Sequence, residues 1–187
     1  MKNNLILRLT VSGLLIAIGI AIPMFSPLKI ILEPASFTLA SHVTIFIAMF
    51  ISPGIAVAVA AGTTLGFFLG GFPLVVVFRA ATHLVFATAG AFYLQKFYKI
   101  TDSIVALRIF SVCIALIHAL GELVVTSIFY FNGTMGTTYY QKGYITSVLL
   151  LVGLGTIVHS MIDFEIANAV RLALRGQIDL KTLQIKK

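Results

Sequence analysis

The chain has 187 residues, of which 59% are hydrophobic and only 10% are charged, and its formal net charge is +7. This composition excludes a water-soluble globular protein, because too few polar residues are present to cover a solvated surface. A membrane-spanning helix needs about 20 residues, so the length allows at most about six to eight spans and leaves no room for a soluble catalytic domain. The sequence predicts an all-α integral membrane protein with a single membrane domain over residues 1–187.

Apolar segments separated by helix breakers predict six transmembrane helices. The strongest breakers are Pro23, Ser52-Pro53-Gly54, Gly70-Gly71-Phe72-Pro73 and the polar loop that begins at Asn132. The second and third helices are short for full spans, and their many small residues favour a compact helical hairpin. The predicted helices lie at about 7–25, 41–51, 54–69, 73–93, 104–131 and 144–172.

The N-terminal segment has two features of a secretory signal, since Lys2 and Arg8 accompany an apolar run. The run continues to Phe25, however, and Pro-rich sequence follows where a short cleavage site would be expected. We therefore interpret this segment as an uncleaved first span.

The distribution of basic residues predicts that both termini lie in the cytoplasm. Cytoplasmic loops of membrane proteins carry an excess of Lys and Arg. With six spans, one side holds Lys2, Arg8, Lys96, Lys99, Arg108, Arg171, Arg175, Lys181, Lys186 and Lys187, whereas the other holds Lys29 and Lys142. The positive charge thus reflects topology, and it gives no support to a nucleic-acid partner because these residues flank the spans.

Arg79 is the residue that most constrains function, because it lies within the apolar fourth segment. A charged guanidinium in hydrocarbon costs about 3 kcal/mol or more, so Arg79 is expected to face a cavity, a partner or an anionic ligand. His83 follows four residues later and therefore lies on the same helix face. The alternative is that Arg79 extends to the outer headgroups from its predicted position in the outer half of the bilayer.

The fifth helix repeats this pattern with His118 and Glu122, again one turn apart. Counting along the two helices places Glu122 near the depth of Arg79. Two interpretations remain open: a structural Arg79–Glu122 ion pair, or a shared outward-facing cavity in which Arg79 binds a ligand carboxylate and Glu122 or His118 accepts ligand hydrogens. The two are compatible if the ligand inserts between the side chains.

The remaining titratable residues have weaker patterns. His159 and Asp163 lie in the predicted inner half of the last helix and are expected to form interhelical hydrogen bonds. Because they are predicted at a different depth from the pair on the fifth helix, we expect neither a metal site nor a cofactor. His42 opens the second helix after a Pro-bounded outer connection that contains Phe37, and such a loop could serve as a lid over a cavity.

Small residues form a stripe on the first helix, where Gly13, Ala17 and Ala21 recur every four residues. Such a stripe allows another helix to pack closely, either within this chain or from a partner protein. No phosphate-binding loop, metalloprotease motif or nucleophile elbow is present, so the chain by itself is expected to be neither an ATPase nor an enzyme of a common hydrolase class.

On these features the chain resembles the S-components of energy-coupling factor vitamin transporters, which are substrate-binding membrane subunits. The resemblance implies that an Ala-x-x-x-Ala motif, matched by Ala17 and Ala21 and extended by Gly13, docks on a transmembrane coupling protein that two cytoplasmic ATPases drive. It also implies a non-catalytic protein of the bacterial plasma membrane. The vitamin cavity of the family lies in the outer half of its last three helices under the outer loops, where Arg79, His83, His118, Glu122, Phe37 and His42 fall.

Segments 34–43, 67–74 and 78–83 look most similar to the pantothenate subgroup, with niacin-type and folate-type members as alternatives. The absence of Trp disfavours large flat ligands. Outside this family, a stand-alone permease and a membrane enzyme that uses a His–carboxylate pair remain as rival functions. An S-component binds its vitamin tightly when isolated but transports only with its partners, whereas a permease transports alone and an enzyme changes its ligand.

Overall fold

The computed structural model describes residues 2–32 and 35–174. Its elements are α1 (Lys2–Phe25), β1 (Lys29–Leu32), β2 (Ala35–Thr38), α2 (Val43–Ile51), α3 (Pro53–Leu69), α4 (Leu74–Lys96), α5 (Ile104–Phe131), α6 (Thr137–Tyr144) and α7 (Gly155–Leu174). A 3-10 turn (Tyr98–Asp102) precedes α5, and a π-helical segment (Ile145–Leu154) joins α6 to α7. Pro34 and four of the basic residues counted above, Arg175, Lys181, Lys186 and Lys187, lie outside the described residues.

The helices confirm an all-α integral membrane protein. Within the described ranges, four helical segments are long and apolar enough to cross a membrane, namely Leu5–Phe25, Leu74–Lys96, Ile104–Phe131 and Thr137–Leu174. The apolar helix α3 has 17 residues and α2 only nine, as expected for a hairpin that does not span twice at full length. The last helical segment begins at Thr137 and bends at Gly143, whose φ of 75° is left-handed.

The short helix α2 forms the centre of the bundle. Eight of its nine residues are buried, and it packs against α3, α4 and α7. Phe46 and Met49 of α2 meet Phe86 of α4 and Phe164 of α7 in the main apolar core. Ser52 ends α2 and begins α3, where its hydroxyl accepts a hydrogen bond from the Ile55 N–H. Because α2 is enclosed on several sides, its N-terminus points into the protein interior.

The first helix lies at the periphery, and its small residues face in two directions. Gly19 faces inward, where a Cβ atom would lie 2.6 Å from Thr44 Oγ1. Gly13, Ala17 and Ala21 are exposed, and a Cβ at Gly13 would meet nothing within 4 Å. The stripe is therefore not used for helix packing within the described part of the chain.

The first connection contains the main departure from an all-α chain, since it folds into a short antiparallel hairpin. Lys29 of β1 is opposite Thr38 of β2. Phe37 on β2 is buried and packs on Gly155 at the start of α7, where an added Cβ would lie 2.5 Å from Phe37 Cζ. The absence of a side chain at Gly155 allows the hairpin to lie against this end of the bundle.

Candidate functional site

A polar cavity of about 270 Å³ lies at the hairpin end of the bundle. This is the outer end in the orientation predicted from the basic residues. The resemblance suggested walls from the last three helices, but the first half of the chain also contributes. The lining residues are Gly19, Pro23, Lys29, Phe37, Thr38, Ser41, His42, Ile45, Thr63, Phe67, Phe72, Val76, Arg79, Ala80, His83, Glu122, Thr156 and His159.

Arg79 and Glu122 form an ion pair at the cavity wall. Arg79 Nη2 lies 2.6 Å from Glu122 Oε2, and the Thr156 hydroxyl donates to the same oxygen at 2.8 Å. The Arg79 Nε–H is buried and has no hydrogen-bond partner among the described residues. The structure contains the ion pair, and both side chains also line one cavity. Binding of a ligand carboxylate by Arg79 stays a prediction.

Two imidazoles approach the other oxygen of Glu122. The Nε2 atoms of His83 and His118 each lie 3.5 Å from Glu122 Oε1. Neither nitrogen has a hydrogen-bond partner of good geometry in the described structure, although both are buried. His83 lines the cavity, whereas His118 is 1% exposed and is not among the lining residues. A contact of His118 with the ligand stays a prediction.

His42 is the centre of a cluster that joins all four histidines. Its ring centroid lies 4.8 Å from that of His83, 4.7 Å from that of His118 and 5.0 Å from that of His159. The prediction that the histidine–carboxylate pairs of α5 and α7 are separated in depth is therefore wrong. The physical reason is the position of α2, whose N-terminus enters the bundle between the long helices and brings His42 to both pairs.

Asp163 of α7 holds the turn that leads into α2. Its carboxylate accepts the backbone N–H of Ala40 at 2.7 Å and that of His42 at 2.9 Å, and it lies 3.1 Å from His42 Nδ1. Ala40 has a φ of 68°, which is unfavourable for a residue with a Cβ atom and requires such support. The prediction expected interhelical hydrogen bonds, but the partners of Asp163 lie in the turn before α2.

His159 occupies a different place from the one predicted. Its Nε2 atom lies 3.1 Å from Ser41 Oγ, and its ring lines the cavity beside Phe37. His159 therefore links α7 to the turn before α2 and also lies at the cavity. It does not lie in the inner half of the last helix, away from the cavity, as predicted.

Several lining residues were not identified from the sequence, and Lys29, Thr38, Phe72 and Thr156 are the most relevant of them. Lys29 was considered only for topology. Thr156 lies three residues before His159 on the same helix. This spacing is the only feature of the sequence that could have identified Thr156 as a site residue. Together the lining offers cations, hydroxyls and aromatic rings, an arrangement suited to a small anion that carries a flat ring.

Comparison with known proteins gives one informative relative. The chain is 40% identical over 166 residues to the Niacin transporter NiaX of Lactococcus lactis subsp. cremoris (strain MG1363). The alignment covers 89% of this chain and 73% of the relative. No protein-family model matches the chain, and no solved structure matches it.

Proposed function

We propose that this chain, which belongs to the S-component family of energy-coupling factor vitamin transporters, is the niacin-binding subunit of such a transporter. The sequence favoured pantothenate, with niacin as an alternative. The relative is a niacin transporter and gives no support to the pantothenate assignment, so niacin takes its place.

The observation that carries this proposal is the Arg79 guanidinium at the cavity wall, where its side chain is 18% exposed. The carboxylate of nicotinate would accept a hydrogen bond from an Arg79 N–H group at the cavity surface, beside the contact of Nη2 with Glu122. A charge-assisted hydrogen bond of this kind is about twice as strong as one between neutral groups. Lys29 at the hairpin adds a second cation that attracts an anion toward the site.

Size and shape also favour a vitamin with one ring. The cavity volume of about 270 Å³ is below the range of about 300–1,000 Å³ typical of drug-sized ligands, which disfavours folate. Phe37 and Phe72 offer aromatic surfaces to the pyridine ring, and the hydroxyls of Thr38 and Ser41 can donate to its nitrogen.

The transport role requires partners that the family supplies. The exposed stripe of Gly13, Ala17 and Ala21 would dock on the transmembrane coupling protein, because small residues allow close helix approach. Two cytoplasmic ATPases would then drive release of the vitamin, while this chain itself performs no chemistry. The localisation that follows is a multi-pass protein of the cell membrane.

Calorimetric titration of the detergent-solubilised chain with nicotinate, pantothenate and folate tests this function. We expect tight one-to-one binding of nicotinate alone, and uptake into vesicles only when the coupling protein and ATPases are present. Tight binding of pantothenate with none of nicotinate would reject the niacin assignment. Uptake by the isolated chain would favour the permease.

A further inference from the structure

Four buried side chains have the composition of a metal site, and three of them also line the cavity. His42, His83, His118 and Glu122 each place one ligand atom within 4.8 Å of the others, and all four residues are buried. They come from α5, from α4 and from the residue before α2, so they meet only through the tertiary fold. We propose that these four residues bind a divalent transition-metal ion of the zinc class.

The distances at Glu122 fit this assignment. Zinc binds imidazole nitrogen at about 2.0–2.1 Å, which places neighbouring ligand atoms of a tetrahedral shell about 3.4 Å apart. Glu122 Oε1 lies 3.5 Å from His83 Nε2 and 3.5 Å from His118 Nε2. These separations are long for hydrogen bonds, and both nitrogens have no partner among the described residues. A central ion would satisfy all three atoms at once.

Groups behind the ligands orient them as in known zinc sites, where a ligating imidazole donates its other N–H to a neighbour. His42 Nδ1 lies 3.1 Å from Asp163 Oδ2, and because a carboxylate only accepts, this contact places the proton on Nδ1 and leaves Nε2 as a ligand. His118 Nδ1 lies 3.2 Å from Ser160 Oγ, which leaves its Nε2 toward Glu122. Arg79 and Thr156 hold Glu122 Oε2, so Oε1 remains available.

A second group of possible ligands, His42, His159 and Asp163, is already used by the fold. Asp163 accepts two backbone N–H groups, and His159 Nε2 contacts Ser41 Oγ. Its polar atoms are satisfied, in contrast to those of His83 and His118. The unsatisfied group is therefore the one that we assign to the metal.

The test uses the full chain purified without a polyhistidine tag and freed of metal with a chelator. After equilibration with Zn²⁺ and gel filtration, we expect one zinc per chain by mass spectrometry, and Co²⁺ in its place should give the intense visible bands of tetrahedral coordination. Loss of a residue that only orients a metal ligand weakens metal binding by about 10–100-fold. His83→Gln and His118→Gln each remove a ligand, so each should weaken zinc binding by more than this.

His159→Gln is the matched control, because it removes an imidazole of the second group and keeps all four proposed ligands. If either ligand variant fails to fold, the Co²⁺ spectrum of the unmodified chain decides. Zinc content below one-tenth per chain, or loss of zinc only in His159→Gln, would overturn the proposal. Nicotinate titration of the unmodified chain separates the two hypotheses, since zinc binding without nicotinate binding rejects the niacin function and retains the metal site.

Discussion

Arg79 and Glu122 face each other across the interface of α4 and α5, with Nη2 2.6 Å from Oε2. Each charge lowers the free energy of burying the other within the membrane region. The pair uses only part of the guanidinium, since the Arg79 Nε–H has no partner in the described structure. Under the proposed function, a ligand carboxylate contacts the exposed part of the Arg79 side chain and joins the pair without breaking it.

Nicotinate should bind more tightly than nicotinamide for this reason. The carboxylate forms a charge-assisted hydrogen bond with Arg79, whereas the neutral amide forms an ordinary one, and the difference is about 1–2 kcal/mol, or roughly ten-fold in Kd. Calorimetric titration with both compounds measures this ratio. Equal affinities would reject recognition of the carboxylate by Arg79.

Neutralising the ion pair should weaken vitamin binding without unfolding the protein. Arg79→Gln alone leaves Glu122 buried and unpaired, which is destabilising by about 3–5 kcal/mol. The double variant Arg79→Gln/Glu122→Gln removes both charges and should retain a melting temperature close to that of the original chain. Its nicotinate Kd should rise at least about 30-fold, because loss of a buried charge contact costs about 2 kcal/mol or more.

Arg108→Gln is the control for this variant, since Arg108 is exposed and lies 3.6 Å from Glu165 in a surface pair. Its nicotinate Kd should change by less than twofold, because such pairs contribute about 0–1 kcal/mol. If the double variant binds nicotinate as tightly as the Arg108→Gln protein, Arg79 does not recognise the vitamin.

The sequence predicts well that Arg79 on α4 and Glu122 on α5 lie close together, because this prediction needs only helix geometry. Both residues interrupt long apolar segments, and the rise of about 1.5 Å per residue places them at similar depths on antiparallel helices. The position of His42 cannot be obtained in this way. It depends on where the nine-residue helix α2 begins inside the bundle, which is a property of packing and leaves no periodic signal in the sequence.

The hairpin and the π-helical segment were also not predicted, each for a local reason. The strands β1 and β2 have four residues each, too short for an alternating pattern to be distinctive. Ile145–Leu154 is mostly apolar, and its sequence does not differ from that of an ordinary helix. Phe37 was identified as a loop aromatic, but its contact with Gly155 requires knowledge of both segments.

Gly155 should control how well the hairpin covers the cavity. A Cβ at this position would lie 2.5 Å from Phe37 Cζ, so Gly155→Leu must displace the Phe37 ring from the cavity wall. We expect bound nicotinate to dissociate at least about tenfold faster, which corresponds to about 1.4 kcal/mol. Release of radiolabelled nicotinate into excess unlabelled vitamin measures the rate.

Gly136→Leu is a matched substitution at the start of α6, where an added Cβ meets nothing within 4 Å. It should leave the dissociation rate unchanged. If Gly155→Leu and Gly136→Leu release nicotinate equally slowly, Phe37 does not retain the vitamin.

Asp163 should be a major determinant of stability. Asp163→Ala removes the acceptor of the Ala40 and His42 backbone N–H groups and leaves both donors unsatisfied in the turn before α2. Hydrogen bonds to charged groups contribute about 1.5–3 kcal/mol each, so the loss of two lowers the expected free energy of unfolding by about 3–6 kcal/mol. Thermal unfolding in detergent measures it as a lower melting temperature.

Glu165→Gln serves as the control on the same helix, because its side chain is half exposed. Its melting temperature should remain within about one degree of that of the original chain, as is usual for a surface substitution. A similarly small effect of Asp163→Ala would show that the turn before α2 is held by other contacts.

The exposed stripe of α1 should affect transport and leave vitamin binding intact. Ala17→Leu places a bulky side chain at the centre of the stripe, where close approach of a partner helix requires small residues. Because Ala17 is exposed and is not a lining residue of the cavity, the nicotinate Kd should change by less than twofold. Uptake by vesicles that also contain the coupling protein and ATPases should fall at least about tenfold, a difference of about 1.4 kcal/mol in docking.

Ala89→Leu on α4 provides the comparison, since Ala89 is another exposed alanine that does not line the cavity. Ala89→Leu adds the same bulk to the surface of α4 and leaves the stripe on α1 unchanged, so uptake should be retained. If the two variants lose uptake equally, added bulk on any membrane-facing helix explains the effect, and the stripe of Gly13, Ala17 and Ala21 is not the docking surface. If neither loses uptake, docking uses a different helix, because an Ala-sized contact surface cannot accept a Leu without separating the two backbones.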